Sequence, residues 1–273
     1  MDQDLPDILY KYRRWSDDFS HDKASLLKNE IYFASAEQFN DPFDCSIPVR
    51  YENATDEQVI GSIKKHVAEN YSHYNREKRR KIEALMIKEK KWKDPSRLES
   101  EKSEYLSNLF KRGIFSLCMD ARNVLMWSHY SNSHCGYCIG YDRKKMEHFF
   151  KSDVFNQSKL IIDPYKVIYS KDYPVFELYD NSTDEEFFVR SLITKSKSWE
   201  YEKEVRYICI ERTKFSLTLP DEIIVKVILG LKFAKDHIST VISRIKESSD
   251  KVSLFQAKMA KYEFALDFEE IDY

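Results

Sequence analysis

Ile114-Phe115-Ser116-Leu117-Cys118-Met119, then Leu125-Met126-Trp127-Ser128-His129-Tyr130, then Gly136-Tyr137-Cys138-Ile139-Gly140-Tyr141 decide the fold. Two β-rich runs flank a short segment in which Met126 and Tyr130 share a helical face. The stretch therefore predicts a strand, a short helix and a second strand in the densest part of the core. Working outward, Ile8 to Arg13, Ile31 to Ala34, Tyr165 to Tyr169 and Glu204 to Ile210 read as further strands. Ile223 to Leu229 is almost uninterrupted apolar sequence, the mark of a fully buried central strand. Helices are expected over Ala24 to Lys28, from a Ser182/Glu185 cap through Leu192, and from Ala234 to Ser248, where Ile238, Val241, Ile242 and Ile245 share a face. Val252 to Ile271 supplies one or two closing strands. This order is too mixed for a regular doubly wound sheet, so the chain reads as α+β, a single mixed-sheet domain over residues 1–273.

Residues 55–113 read as a charged helical insertion within that domain. Thr55 and Gln58 fit a capping box, and Val59, Ile60, Ile63 and Val67 recur on one face. Charge dominates from Asn75 to Lys111, with a break at Asp94-Pro95 and Gly113 expected as a helix C-cap. The basic run Arg76 to Lys81 reads as a solvated helix face, because acidic residues interleave with it, or as a nucleic-acid contact.

Length and composition exclude several function classes. A chain of 273 residues with 42% apolar content buries one substantial core, and a net charge of -2 supplies no global basic field for nucleic acid. Five cysteines, an odd number, do not suggest a secreted disulfide framework. Five scattered glycines exclude a Walker A loop and a dinucleotide-binding GxGxxG turn. The acidic N-terminus lacks signal-peptide order, and no apolar run approaches the ~20 residues that cross a bilayer. A cytoplasmic, non-membrane location is expected.

Five constellations bear on chemistry. If a strand begins by Glu202, then Glu202, Glu204 and Arg206 share one face, opposite the core residues Val205, Tyr207 and Cys209. That face is either a solvated edge or the wall of a cleft; two such carboxylates suit binding of a ribose hydroxyl and stabilisation of positive charge on a sugar carbon. Trp127, Ser128, His129, Tyr130 and His134 form a second group, either hydrogen-bonded core residues or a place where Trp127 or Tyr130 stacks a ring and His129 moves protons. Cys135-Gly136-Tyr137-Cys138 has redox spacing but enters a strand instead of opening a helix, which argues against redox function; with His134 it also lacks a fourth zinc ligand. Asn40-Asp41-Pro42 is a turn former, and on the first strand Tyr10 and Tyr12 alternate with the cations Lys11 and Arg13. Arg13 is either a solvated strand-end cation or a bidentate grip for a pyrophosphate.

Leu9 to Arg13, the FNDPFD segment at Phe39 to Asp44, LMWSHY with His134 and Gly136, and Lys195 with WEYEKEVR at Trp199 to Arg206 resemble, in this order, the motifs of a bacterial domain-of-unknown-function family. The resemblance spans roughly residues 8 to 233. Its motif order also looks distantly like that of ADP-ribosyltransferases, which implies NAD as a substrate. On that resemblance Arg13 would bind the NAD phosphates, Ser35 or Tyr32 would take the hydroxyl or aromatic position, and Tyr12 or Trp127 would stack the nicotinamide. Glu202 or Glu204 would anchor the ribose, and the ADP-ribose would pass to protein, nucleic acid or water. Such proteins are often toxins or antiphage effectors. Two other readings stay open: a non-catalytic ligand- or nucleic-acid-binding module, and a metal-dependent nuclease through Asp41, Asp44 and Glu202.

Overall fold

A computed structural model describes residues 5–16, 20–46, 49–50, 55–89, 99, 103, 106–172, 176–177, 184–248 and 252–273. The chain opens with β1 (Ile8–Arg13), α1 (Ser20–Leu27), β2 (Glu30–Phe33) and β3 (Val49–Arg50), followed by the helices α2 (Asp56–Asn70) and α3 (Arg76–Glu89). The central unit is β4 (Gly113–Cys118), α4 (Val124–Tyr130) and β5 (Tyr137–Asp142), and then α5 (Arg143–Phe150) and α6 (Asp153–Asn156). Next come β6 (Ile162–Lys166), β7 (Ile168–Ser170), β8 (Phe176–Glu177), α7 (Asp184–Ile193) and β9 (Thr194–Ser196). The C-terminal part holds β10 (Glu204–Cys209), β11 (Phe215–Thr218), β12 (Ile224–Leu229), α8 (Ile238–Glu247), β13 (Ser253–Met259) and β14 (Leu266–Glu270).

Eight strands form one sheet in the order β14-β13-β12-β5-β1-β4-β10-β6, so the fold is α+β around a large mixed sheet. Only β12 and β13 pair in parallel within it; the other neighbours are antiparallel. Alternation along the strands feeds two apolar layers. Leu9, Phe115, Leu117, Ile139, Tyr141, Val205 and Tyr207 meet α5 and α8 on one face, while Tyr12, Cys118, Cys138 and Ile228 meet Met126 and Trp127 of α4 on the other.

The opening stretch folds as it reads. Asn123 caps α4, its side-chain Oδ1 accepting from Leu125 N at 2.9 Å and Met126 N at 3.3 Å. The Trp127 indole is fully buried and donates to Ala121 O at 2.7 Å. The Thr55/Gln58 capping box is also present, and α2 and α3 bury Val59, Ile63 and Val67 with Ile82, Met86 and Ile87 in a cluster of their own.

Three local expectations need correction. Gly113 does not cap a helix: it starts β4, where an added Cβ would stand 2.5 Å from Arg212 O, so close backbone approach demands the glycine. The Tyr165-to-Tyr169 run divides into β6 and β7, because Val167 N donates to Glu204 O at 3.0 Å and the chain leaves β10 to pair with β9. Glu202 precedes β10 in a 3₁₀ turn ended by Lys203, whose φ of 45° is left-handed. The Ser182 cap and the Asp94-Pro95 break lie outside the described residues.

Candidate functional site

The sheet is split at its centre. β1 pairs with β5 from Ile8↔Asp142 to Arg13↔Tyr137, but meets β4 only at Tyr10↔Cys118. Beyond that pair the two strands diverge, and the gap opens into a cavity of about 470 Å³. Residues 10–13 of β1, with Arg14 just after it, form one wall and Ser116, Leu117 and Cys118 of β4 the other; Asp22 of α1, Gln38 with Phe39 and Asn40 at the start of the FNDPFD turn, and Met126, His129 and Tyr130 of α4 line it as well. By strand alternation Lys11 and Arg13 leave β1 on the opposite face from Tyr10 and Tyr12. The gap lets both faces line the same space.

Five buried charged side chains form the floor: Asp44, Lys195, Glu202, Glu204 and Arg206. Arg206 is fully buried, and its guanidinium grips Asp44 through Nη1 at 2.9 Å and Nη2 at 2.6 Å and Glu204 through Nε and Nη2, both at 2.9 Å. Nη1 also donates to the Leu192 carbonyl, so all five N–H groups are used. Phe39 covers the guanidinium with its ring centroid at 5.1 Å. Lys195 Nζ stands 2.5 Å from Glu202 and 3.3 Å from both Glu204 and Asp44. Burial disfavours its charge, yet the surrounding carboxylates outweigh that and raise its pKa.

The two glutamates are displaced in opposite directions. Burial works against ionisation of Glu204, but the Arg206 and Lys195 charges overcome it and hold the carboxyl at about 2. For Glu202 burial wins, with the Glu204 charge adding to it and Lys195 opposing, so its pKa is raised. Tyr130 Oη donates to Glu202 Oε1 at 2.5 Å, and burial together with the Glu202 charge pushes the phenol up, so it remains a donor. Across the cavity, burial and the neighbouring Arg13 bring the Lys11 amine down to about 7.

Of the residues the sequence nominates, Tyr12, Arg13, His129, Tyr130, Glu202 and Glu204 line this one cavity. Ser35 and Trp127 do not. Ser35 is fully buried, donating to Phe110 O at 3.1 Å and helping cap a 3₁₀ turn; Trp127 packs edge-on to Tyr12. Both therefore serve the core. The solvated-edge reading of Glu204 and Arg206 fails, since they are 5% and 0% exposed. The sequence sets Arg206 on the face of Glu202 and Glu204, Lys11 beside Arg13 and Lys195 within a motif, but assigns none of the three a role of its own. Lys195 stands seven residues before Glu202 in the chain, the one local hint available.

Asp41 accepts Phe43 N at 2.9 Å within its own turn, and both Asp44 oxygens are held by Arg206. Among the described residues no three His, Cys, Asp or Glu side chains are grouped to hold a metal ion, which leaves the nuclease arrangement without its ligands. Cys135 and Cys138 are free thiols, and burial pushes Cys138 well up, the reverse of an activated cysteine.

Fold and site together define an α+β protein with a split mixed sheet and a buried ionic cluster at the floor of the split. Residues 126–207 match the model of a family described as protein of unknown function (DUF2971). That segment runs from α4 into β10 and includes Tyr130, Lys195, Glu202, Glu204 and Arg206, but not β1 or Asp44. No curated protein and no solved structure matches the chain. Among the described residues no helix is long and apolar enough to cross a membrane.

Proposed function

We propose that the cavity binds an NAD-type dinucleotide and breaks its nicotinamide–ribose bond, delivering the ADP-ribose to water or to a second substrate. The observation that carries this reading is the glutamate pair: two adjacent buried carboxylates with ionisation displaced in opposite senses, facing Lys11 and Arg13 across a cavity of ligand size.

The chemistry needs what this floor offers. When the C1′–N bond breaks, its electron pair leaves on nicotinamide, which departs neutral and requires no proton. Positive charge grows on the ribose carbon instead. Three carboxylates against two cations leave the cluster one negative charge in excess when all are ionised, fixed beneath the cavity before reaction begins. Glu204, held ionised, supplies electrostatic stabilisation. Glu202, with its raised pKa and Tyr130 orienting it, is suited to take the proton of the water or acceptor hydroxyl as its oxygen joins C1′. Tyr10, Tyr12, His129 and Tyr130 offer rings to the bases, and Arg13 offers a guanidinium to the phosphates.

A second reading is favoured by one fact: both Glu202 oxygens are already engaged, Oε1 by Tyr130 and Oε2 by Lys195. A receptor that binds without reacting would tolerate that arrangement. Nicotinamide release and NAD binding by the wild type, Glu202→Gln and Glu204→Gln separate the two. The enzyme reading expects release to fall at least ~100-fold in Glu202→Gln while binding changes little. Binding without release in the wild type would favour the receptor; neither binding nor release would reject both.

A further inference from the structure

The β1–β4 split leaves main-chain groups of β4 without a strand partner, and one of them is answered in an unusual way. Lys11 Nζ crosses the gap and donates to Ser116 O at 2.7 Å, with the Phe115 ring at 5.3 Å. A side-chain ammonium thus stands where a strand N–H would close an ordinary sheet. Beside it the Arg13 guanidinium makes no hydrogen bond or ion pair among the described residues, and its Nε is buried. Arg14 differs: it is paired with Asp22 at 3.1 Å. Two cations with no carboxylate bound to either therefore share one wall of the cavity, an arrangement that folding alone does not favour.

We infer that Lys11 and Arg13 form a binding site for the phosphate or diphosphate group of a ligand, seated in the split between β1 and β4. The inference deepens the dinucleotide reading by assigning Lys11, but it requires no glycosidic chemistry and can be tested apart from it. An anion here gives both cations the counter-charge they lack, and its oxygens accept from the ammonium donors left free by Ser116 O.

The site carries a proton signature. Burial is the largest influence on Lys11, followed by Arg13 on its own strand; Glu204 on β10, Glu202 in the preceding 3₁₀ turn and Asp22 on α1 oppose them, and the amine comes down to about 7. Its proton is therefore largely absent at pH 8 and present at pH 6. A bound phosphate favours the ammonium, so binding at pH 8 draws a proton from solvent and binding at pH 6 does not.

The test is calorimetry of the whole chain with pyrophosphate and with ADP, at pH 6 and pH 8, in buffers of different ionisation enthalpy. The anions ionise near this range themselves, so the signal expected is the excess of the wild type over Lys11→Arg: roughly half a proton or more taken up per anion at pH 8 and almost none at pH 6. Lys11→Arg keeps the charge at every pH, so it exchanges only the protons that the anion itself gains or loses; Lys11→Met binds roughly tenfold or more weakly. Tighter binding of ADP than of pyrophosphate would assign the site to a nucleotide, and equal binding to a free diphosphate; either supports the site. Absence of anion binding by the wild type, or the same proton exchange at pH 8 in the wild type and Lys11→Arg, would overturn it. Loss of nicotinamide release with uptake intact would reject only the glycosidic chemistry.

Discussion

Replacing Arg206 by Met keeps much of the side-chain volume and removes the charge at the centre of the floor. The wild-type guanidinium uses all five N–H groups: two on Asp44, two on Glu204 and one on the Leu192 carbonyl. After substitution Asp44 and Glu204 remain buried with Lys195 as their one remaining counter-charge in the cluster, 3.3 Å from each. Removing one partner of a buried charge cluster costs about 3–5 kcal/mol, mostly from carboxylates left desolvated and unpaired. At roughly 2–4 °C per kcal/mol for a chain of this size, the midpoint falls by ~6–20 °C.

The pH dependence gives a sharper check. In the wild type Glu204 has a folded pKa of about 2 against 4.5 for the free group, so its stabilisation is present above 4.5 and lost as pH falls through about 2. Without Arg206 the balance reverses: burial raises the carboxyl, ionisation becomes unfavourable, and protonation relieves the cost. The deficit of Arg206→Met should therefore be larger at pH 8 than at pH 5. Urea unfolding followed by tryptophan fluorescence measures it, with Asp44→Leu and the double variant completing a cycle. A loss below about 1 kcal/mol, a deficit independent of pH, or strictly additive variants would refute the account of the floor.

Tyr130→Phe deletes the hydroxyl on Glu202 Oε1; nicotinamide release should fall roughly 10- to 100-fold with a melting temperature within a few degrees of wild type, read by the release assay and calorimetry on the same sample. Lys11→Met should stabilise the fold by about 1–3 kcal/mol at pH 7, because the unfolded chain holds this proton up to about 10.5 and the folded chain only to about 7. The gain should shrink toward pH 10, and equal stability at both pH values would count against it. Gly136→Ala drives a Cβ into the Arg13 carbonyl oxygen; the shift this forces at the end of β1 should cost roughly 1–3 kcal/mol in urea unfolding and weaken anion binding as well.

What was legible in the sequence follows from the range of the forces involved. The β4–α4–β5 unit was readable because its signals are local: alternation, a short amphipathic turn and β-rich ends. The same holds for the Thr55/Gln58 capping box. Residue chemistry misled where a polar or aromatic group finds its partner inside the fold: Ser35 reaches Phe110 O and Trp127 reaches Ala121 O, and both leave the cavity. Glu204 and Arg206 alternate like a solvated edge, and nothing near them in the chain reveals that Asp44, 162 residues away, converts that face into a buried cluster. Gly113 was misread because a helix C-cap and a close strand crossing both call for glycine.

The split between β1 and β4 ties fold and site together. A sheet that stops pairing in its middle forfeits main-chain hydrogen bonds, and here side chains of β1 replace some of them: Lys11 donates to Ser116 O and Tyr12 Oη to Asp120 O at 2.6 Å. Both residues also line the cavity. The contacts that hold the gap at its width therefore belong to the groups a ligand would touch. A ligand anion drawing Lys11 off the carbonyl would free β4 to shift relative to β1, whereas closure of the ladder would abolish the cavity. Hydrogen exchange at the amides of residues 116–120 distinguishes these outcomes: faster exchange with pyrophosphate bound means the ligand takes Lys11 from the strand, and slower exchange means that it bridges the two.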